Sequence, residues 1–291
     1  MVTHFFVARR MARRFVAGET LDEGLAAARE MNEKGLMVSL DLLGESVHDE
    51  VTAISATDAY VNLLQAIHKN TLDANISVKP TQLGLDISEQ LCADNLRRML
   101  TTAQECGTSV NIDMESSKYT DATIKIFRQL SQEFDNVSTV IQSYLRRSEA
   151  DMTHLADEGS TVRLCKGAYK EPPDVAFPEK VDVDANYVKL MQAYMADDNR
   201  QKGAYLKVAT HDPNMIDATL QYVKEHNIPV DQFEFQMLYG IRTKTQFELH
   251  EQGYQMRVYI PYGTEWYPYF MRRLAERPAN LWFLLKNVFT R

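Results

Sequence analysis

Residues 205–237, YLKVATHDPNMIDATLQYVKEHNIPVDQFEFQM, contain the unit from which the fold is built. Tyr205 to Thr210 reads as a short strand, 213–226 carries helical periodicity, and Phe233 to Met237 reads as the next strand. Pro213 follows His211 and Asp212 and marks a helix start, because the N–H it lacks is one that the first turn leaves unbonded anyway. Strand, helix, strand in this order is a βα unit around a parallel sheet.

The alternation continues on both sides, from residue 36 onward. Candidate strands are Met37 to Leu42, Ile76 to Lys79, Val110 to Asp113, Thr139 to Tyr144, Val162 to Lys166, Tyr205 to Thr210, Phe233 to Met237 and Met256 to Ile260. Helical segments fall near 57–70, 88–106, 120–134, 148–157, 184–201, 213–226, 241–252 and 265–277, with Gly240 a turn signal ahead of Thr243. Eight alternations predict an α/β chain closed into a (β/α)8 barrel, rather than an open doubly wound sheet. Two further helices, near 4–16 and 21–33, precede the first strand and are expected to cover one end of the barrel or lie beside it. Pro278 should separate the 265–277 helix from a last one at 279–289. No linker, charge block or composition shift divides the chain. One domain over 1–291 is therefore expected, with N-terminal helices in 1–35 and the barrel and final helices in 36–291.

Composition narrows the function. Of 291 residues, 45% are hydrophobic and 25% charged, enough for a large core. Lys and Arg number 32 against 40 Asp and Glu, a net charge of -8, which disfavours nucleic acid as a partner. Cys92, Cys106 and Cys165 are scattered without a CxxC, so they frame neither a disulfide scaffold nor a zinc site, and a reducing, cytoplasmic setting fits. No apolar run reaches the roughly 18 residues that span a bilayer, and Leu281 to Leu285 is far too short. Arg9, Arg10, Arg13 and Arg14, interleaved with Phe5, Phe6, Met11 and Phe15, allow a transit peptide, a membrane-surface helix, or a solvated helix packed on the body by its aromatic stripe. None of the 12 glycines stands in a GxG, and there is no GK[ST], HExxH, HxH or GxSxG, so no Rossmann dinucleotide site, P-loop, metal site or nucleophile elbow is expected.

In such barrels chemistry sits at the C-terminal strand ends. Here those ends read Asp41 to Glu45, Lys79, Asp113 and Glu115, Gln142 and Tyr144, Arg163 and Lys166, Thr210 and His211, Glu234 and Gln236, then Tyr259. Any one could face solvent at the rim, but a full ring is harder to assign to solvation. Glu234 and Gln236, at alternate positions of one strand, read as a hydrogen-bonded pair inside the barrel. After the eighth strand, Tyr269, Arg272, Arg273 and Glu276 share one helix face. That face is either solvated or turned into a polar pocket. Adjacent guanidiniums suit a bidentate grip on a carboxylate.

Four motifs, Arg163-Leu-Cys-Lys-Gly-Ala-Tyr169, Asp113-Met-Glu-Ser116, Ala209-Thr-His-Asp212 and Tyr269-x-x-Arg-Arg-Leu-Ala-Glu-Arg277, resemble those of the proline dehydrogenase family, in its monofunctional bacterial form. The resemblance runs through all eight strands. It implies FAD held noncovalently across the strand ends of a distorted barrel, with Met114, Gln142, Arg163, Lys166, Gly167, Ala168, Tyr169, Thr210 and His211 as cofactor contacts. It implies Asp113 and Arg163 as catalytic residues. Substrate binding is implied for Arg272 and Arg273, which clamp the carboxylate of L-proline, for Tyr259, Tyr269 and Leu164 around the ring, for Lys79, and for Glu45 as an ion-pair partner of Arg272 or Arg273. The implied reaction is hydride loss from proline C5 to flavin N5, giving Δ1-pyrroline-5-carboxylate, the first step of proline catabolism. Electrons pass on to a membrane quinone, with peripheral contact at the inner face of the cell membrane. The Arg/Phe N-terminus and Trp282-Phe-Leu-Leu285 are the local candidates for that contact. Lys170 departs from the tryptophan that some members carry after Tyr169, which affects packing on that side of the flavin. Two other readings stay open: a Schiff-base aldolase using Lys79 or Lys166 near Asp113, and a ligand-binding barrel without catalysis.

Overall fold

The computed structural model describes residues 12–275. Eight parallel strands close on themselves in sequence order: β1 (Met37–Leu42), β2 (Ala74–Val78), β3 (Val110–Ile112), β4 (Val137–Gln142), β5 (Thr161–Cys165), β6 (Tyr205–Ala209), β7 (Phe233–Leu238) and β8 (Met256–Tyr262). Closure is made by β1 against β8, with Leu40 level with Ile260 and Leu42 with Tyr262. The helices are α1 (Leu21–Glu33), α2 (Glu50–Lys69), α3 (Glu89–Glu105), α4 (Thr120–Leu130), α5 (Ser148–Asp157), α6 (Lys180–Tyr194), α7 (Asp197–Gln201), α8 (Pro213–Glu225), α9 (Thr243–Glu251) and α10 (Trp266–Ala275).

The (β/α)8 expectation holds, and the differences are local. The second helix begins at Glu50 rather than near 57, because Asp49 caps it by accepting from the Thr52 N–H at 2.9 Å. The helix expected over 184–201 is two, broken where Ala196 adopts extended backbone ahead of α7. Lys79 and Asp113 stand just beyond their strands rather than at their last positions. The expected helix at 279–289 and Pro278, Glu276 and the 282–285 stretch lie outside the described residues, as does most of the one at 4–16.

Two placements set up the site. Helix α1, fixed at its start by a Thr20–Glu23 capping box, packs along β1 and β8 in the outer layer, with Gly24 against the Tyr262 ring. Of the two positions open to it, it takes the one beside the barrel. Helix α10 instead lies across the C-terminal mouth. Its Trp266, Tyr269 and Phe270 are buried with Phe15, Leu43 and Ile241, and the Phe15 and Phe270 rings are 6.4 Å apart.

The main apolar core lies between sheet and helices, where Val38, Ile76, Val110, Val162, Val208, Phe235 and Val258 meet residues such as Leu63, Leu96 and Tyr187. The inside of the barrel is polar. Strand alternation turns Ser39, Asp41, Ser77, Asn111, Ser138, Arg163, Lys207, Glu234, Gln236, Arg257 and Tyr259 inward, where branched aliphatic side chains usually stand in such barrels. Apolar contacts in the outer layer therefore hold the fold together, and hydrogen-bonded polar and charged side chains fill its axis.

Candidate active site

Asp113, one residue past β3, is the centre of the upper cluster. Its Oδ1 accepts from Arg163 Nη1 at 2.7 Å and from Asn111 Nδ2 at 3.1 Å, and its Oδ2 accepts from Tyr259 Oη at 2.9 Å. Lys79 Nζ stands 3.7 Å from Asp113 Oδ2 and 3.0 Å from both oxygens of Asp41. Arg163 also donates to Gln236 Oε1 at 2.5 Å and to Ser77 Oγ at 2.8 Å, and its guanidinium lies 5.2 Å from the Tyr259 ring centroid. Five strands thus fix one guanidinium and one carboxylate in a single orientation each.

Burial disfavours charge on Lys79, but the carboxylates of Asp41 and Asp113 outweigh it and hold the ammonium above its ordinary pKa. Burial pushes the Asp41 carboxyl upward, with Lys79 opposing and Asp113 adding to the rise. Lys79 remains a cation, paired with Asp41. Glu115 is raised by burial, with two hydrogen bonds from Thr81, at 2.9 Å from N–H and 2.6 Å from Oγ1, working the other way.

Above this cluster, Arg272 Nη1 donates to Glu45 Oε1 at 2.8 Å, and the two line a cavity of about 550 Å³ together with Lys79 and Tyr269. The ion pair expected for Glu45 is therefore formed with Arg272. Arg273 is half-buried, lies 5.3 Å over the Tyr269 ring, and its charge reaches the Cys165 thiol at the end of β5. Burial pushes that thiol up to about 12, with Arg163 and Arg273 drawing it back. Of the two readings for the α10 face, the pocket is the one the geometry fits. Tyr169 is half-buried beside it, raised by burial and within reach of the charges of Glu115, Lys79 and Arg272.

A second group lies on the β4 to β7 side of the mouth. Gln142 is buried and donates to the Glu115 carbonyl at 2.8 Å, and Met114 is buried beside them in sequence. Lys166 bridges Asp184 and Asp212, with Lys180 joining the same two carboxylates. Gly167 takes φ +113°, and a Cβ there would run into the Tyr144 ring. Ala168 is exposed, Thr210 Oγ1 accepts from the Asp212 N–H at 3.1 Å, and Asp212 caps α8. His211 Nε2 accepts from the Leu238 N–H at 2.8 Å, an anchor between β6 and β7.

One expected member does not join. Leu164 is fully buried and alternates with Arg163, so the pleat turns it to the helix-facing side of β5 rather than toward the substrate ring. Sequence reasoning left out Asp41, Ser77, Asn111 and Gln236 as site members. Asp41 and Gln236 stood among the strand-end polar residues, whereas Ser77 and Asn111 gave no comparable signal. The Glu234–Gln236 pair is formed as expected, with both side chains buried and Gln236 Nε2 donating to Glu234 Oε1. Among the described residues no group of three or more His, Cys, Asp or Glu is placed to hold a metal, and no helix is long and apolar enough to cross a membrane.

The strand ends gather an Asp–Arg–Tyr–Lys cluster beside a helix that carries two arginines, at the end of the barrel where (β/α)8 enzymes place their chemistry. The proline dehydrogenase family model matches residues 24–286. Proline dehydrogenase 1 of Bacillus subtilis is 45% identical over 277 residues, covering 95% of this chain and 90% of that one. Proline dehydrogenase of Deinococcus radiodurans is 40% identical over 283 residues, covering 96% and 90%. Among solved structures, proline utilization A from Bdellovibrio bacteriovorus, inactivated by N-propargylglycine, superposes with a TM-score of 0.85 at 29% identity, over 92% of this chain and 32% of that one. The chain belongs to the proline dehydrogenase family, the oxidoreductases that open proline catabolism.

Proposed function

We propose that the chain oxidises L-proline to Δ1-pyrroline-5-carboxylate with FAD as cofactor, within one catalytic domain. The observation that supports this reading is Arg272, paired with Glu45 in the cavity that Lys79 also lines beside Asp113, with Arg273 next to it on the same helix; a carboxylate clamped there would leave the rest of a small ring facing the strand ends. Fit to the cofactor is supported by the glycine cradle at 167, the buried Tyr144 hydroxyl with no hydrogen-bond partner among the described residues, and the donors Gln142, Arg163 and Lys166. Met114, Gly167, Ala168, Tyr169, Thr210 and His211 complete the proposed cradle. Bound there, FAD supplies the two-electron acceptor for the hydride lost by proline C5.

The chain's residues supply orientation and electrostatics. Arg272 and Arg273 hold the carboxylate, Glu45 holds Arg272, and Tyr259 and Tyr269 enclose the ring. Asp113, fixed by Arg163 and Tyr259, presents a carboxylate that favours the developing positive charge on the substrate nitrogen, with Lys79 balancing Asp41 beside it. The Schiff-base alternative needs a neutral lysine, whereas Lys79 is held protonated and Lys166 lies between two carboxylates. A membrane quinone is the proposed final acceptor, reached from the cytoplasm by peripheral contact. Anaerobic addition of L-proline should bleach the visible flavin spectrum. A colourless protein, or tight proline binding without bleaching, would overturn the assignment.

A further inference from the structure

A continuous run of side-chain hydrogen bonds descends the barrel axis from Asp113. Asn111 Nδ2 donates to Asp113 Oδ1 at 3.1 Å, Ser138 Oγ donates to Asn111 Oδ1 at 2.9 Å, and Lys207 Nζ donates to Ser138 Oγ at 2.7 Å. Lys207 stands mid-strand in β6, level with Arg163 on one side and Glu234 on the other, and is 5% exposed. It also lines a cavity of about 260 Å³ at the N-terminal end of the barrel, which gives it a path to solvent remote from the substrate.

We infer that Lys207 is a positioning residue for proline oxidation, acting through Ser138 and Asn111 to hold Asp113 as a carboxylate acceptor. The inference rests on the reading of Asp113 given above. Its physical basis is directional. A protonated lysine can only donate, so the Ser138 hydroxyl must send its own proton on to Asn111 Oδ1. That fixes the Asn111 amide with Nδ2 toward Asp113. A neutral lysine can accept instead. The hydroxyl then turns, and the amide loses the bond that keeps its oxygen away from the carboxylate.

The ionised groups facing Lys207 are Glu234, which favours its charge, Arg163 and Arg257, which oppose it, and Asp113, which favours it. Burial is the largest influence and brings its pKa down to about 7. The axis holds Lys79, Arg163, Lys207 and Arg257 against Asp41, Asp113 and Glu234, one cation in excess. Lys207 is the member of that set that makes no ion pair with a carboxylate among the described residues. Its protonation therefore changes within the working pH range.

The experiment compares kcat/KM for L-proline in the wild-type holoenzyme and in Lys207→Met from pH 6 to pH 9, as a ratio that cancels the substrate's own ionisation. The ratio should be about three- to tenfold at pH 6, the scale of one altered hydrogen bond in a buried network, and should fall toward one above pH 8. Ser138→Ala, which removes the relay hydroxyl, should give the same pH-dependent ratio, and the double variant should be no worse than either single one. A ratio of one throughout, or a constant ratio, overturns the coupling. Asp113→Asn separates the two levels. If it retains wild-type kcat/KM, the reading of Asp113 fails and takes the coupling with it. If it cripples turnover while the ratio stays flat, the coupling alone fails.

Discussion

Arg272 Nη1 and Glu45 Oε1 are 2.8 Å apart, so the helix across the mouth is tied by an ion pair to the loop that leaves β1. The two side chains are 25% and 32% exposed, which limits what the pair contributes to folding and leaves the guanidinium open to a substrate carboxylate. Replacing Arg272 by Ala should raise KM for proline about ten- to a hundredfold, the equivalent of one charge-assisted hydrogen bond of about 1.5–3 kcal/mol. Steady-state kinetics decide it, and an unchanged KM would end the clamp assignment. Glu45→Gln keeps the guanidinium and should cost less.

Asp113 receives Arg163 and Tyr259, so Asp113→Asn leaves the buried Arg163 without a carboxylate partner, while Lys79 keeps Asp41. Loss of stability on the order of 3 kcal/mol is expected, together with a fall in kcat larger than any change in KM. Calorimetry and initial rates test the two parts separately.

Gly167 sits at φ +113° with the Tyr144 ring against it. Gly167→Ala adds both backbone strain of about 1–3 kcal/mol and a clash inside the proposed cradle. The purified variant should carry less flavin per chain than wild type, read from the ratio of visible to ultraviolet absorbance. Full flavin content would show that the loop after β5 does not shape the cofactor site.

Lys207 has a folded pKa of about 7 against an ordinary 10.5, so the native state disfavours its proton. Below pH 7 both states are protonated and the full penalty of burying the charge applies. Between 7 and 10.5 only the unfolded state binds the proton, and stability rises with pH. Lys207→Met, which removes the charge, should be more stable than wild type by about 1–4 kcal/mol at pH 6, with the gap closing toward pH 10. Denaturant melts across that range check it, and a gap that does not narrow would refute the assignment.

Asp212 behaves oppositely. Burial opposes its charge, but Lys166, Lys180 and the Asn214 N–H outweigh it and lower the carboxyl from 3.8 to about 2. Its contribution is present above pH 3.8 and is lost as pH falls through about 2. The destabilisation caused by Asp212→Asn should therefore be visible at pH 6 and vanish near pH 2, as followed by thermal melts.

Much of the fold was legible because strands and helices here obey local periodicity. Val208 and Phe235 had to face a helix layer wherever the barrel put them. The limits of α2 and the break before α7 were less legible, since they depend on a single capping carboxylate and on one extended residue, Ala196. The site was legible in part. Asp113, Arg163 and Arg272 stand in family motifs and Lys79 at a polar strand end, while Asn111, Ser138 and Lys207 look in sequence like ordinary strand positions.

The sequence by itself determined the eight βα units, the family and the polar strand ends, because each is written in side chains no more than a helical turn or a pleat apart. Tertiary structure alone decided that α1 lies beside β8 while α10 crosses the mouth, that Leu164 faces away, and that Lys207 is linked to Asp113 down the axis. Those outcomes depend on closing β1 onto β8. Ring closure sets the register of all eight strands at once, and with it which inward side chains share a level.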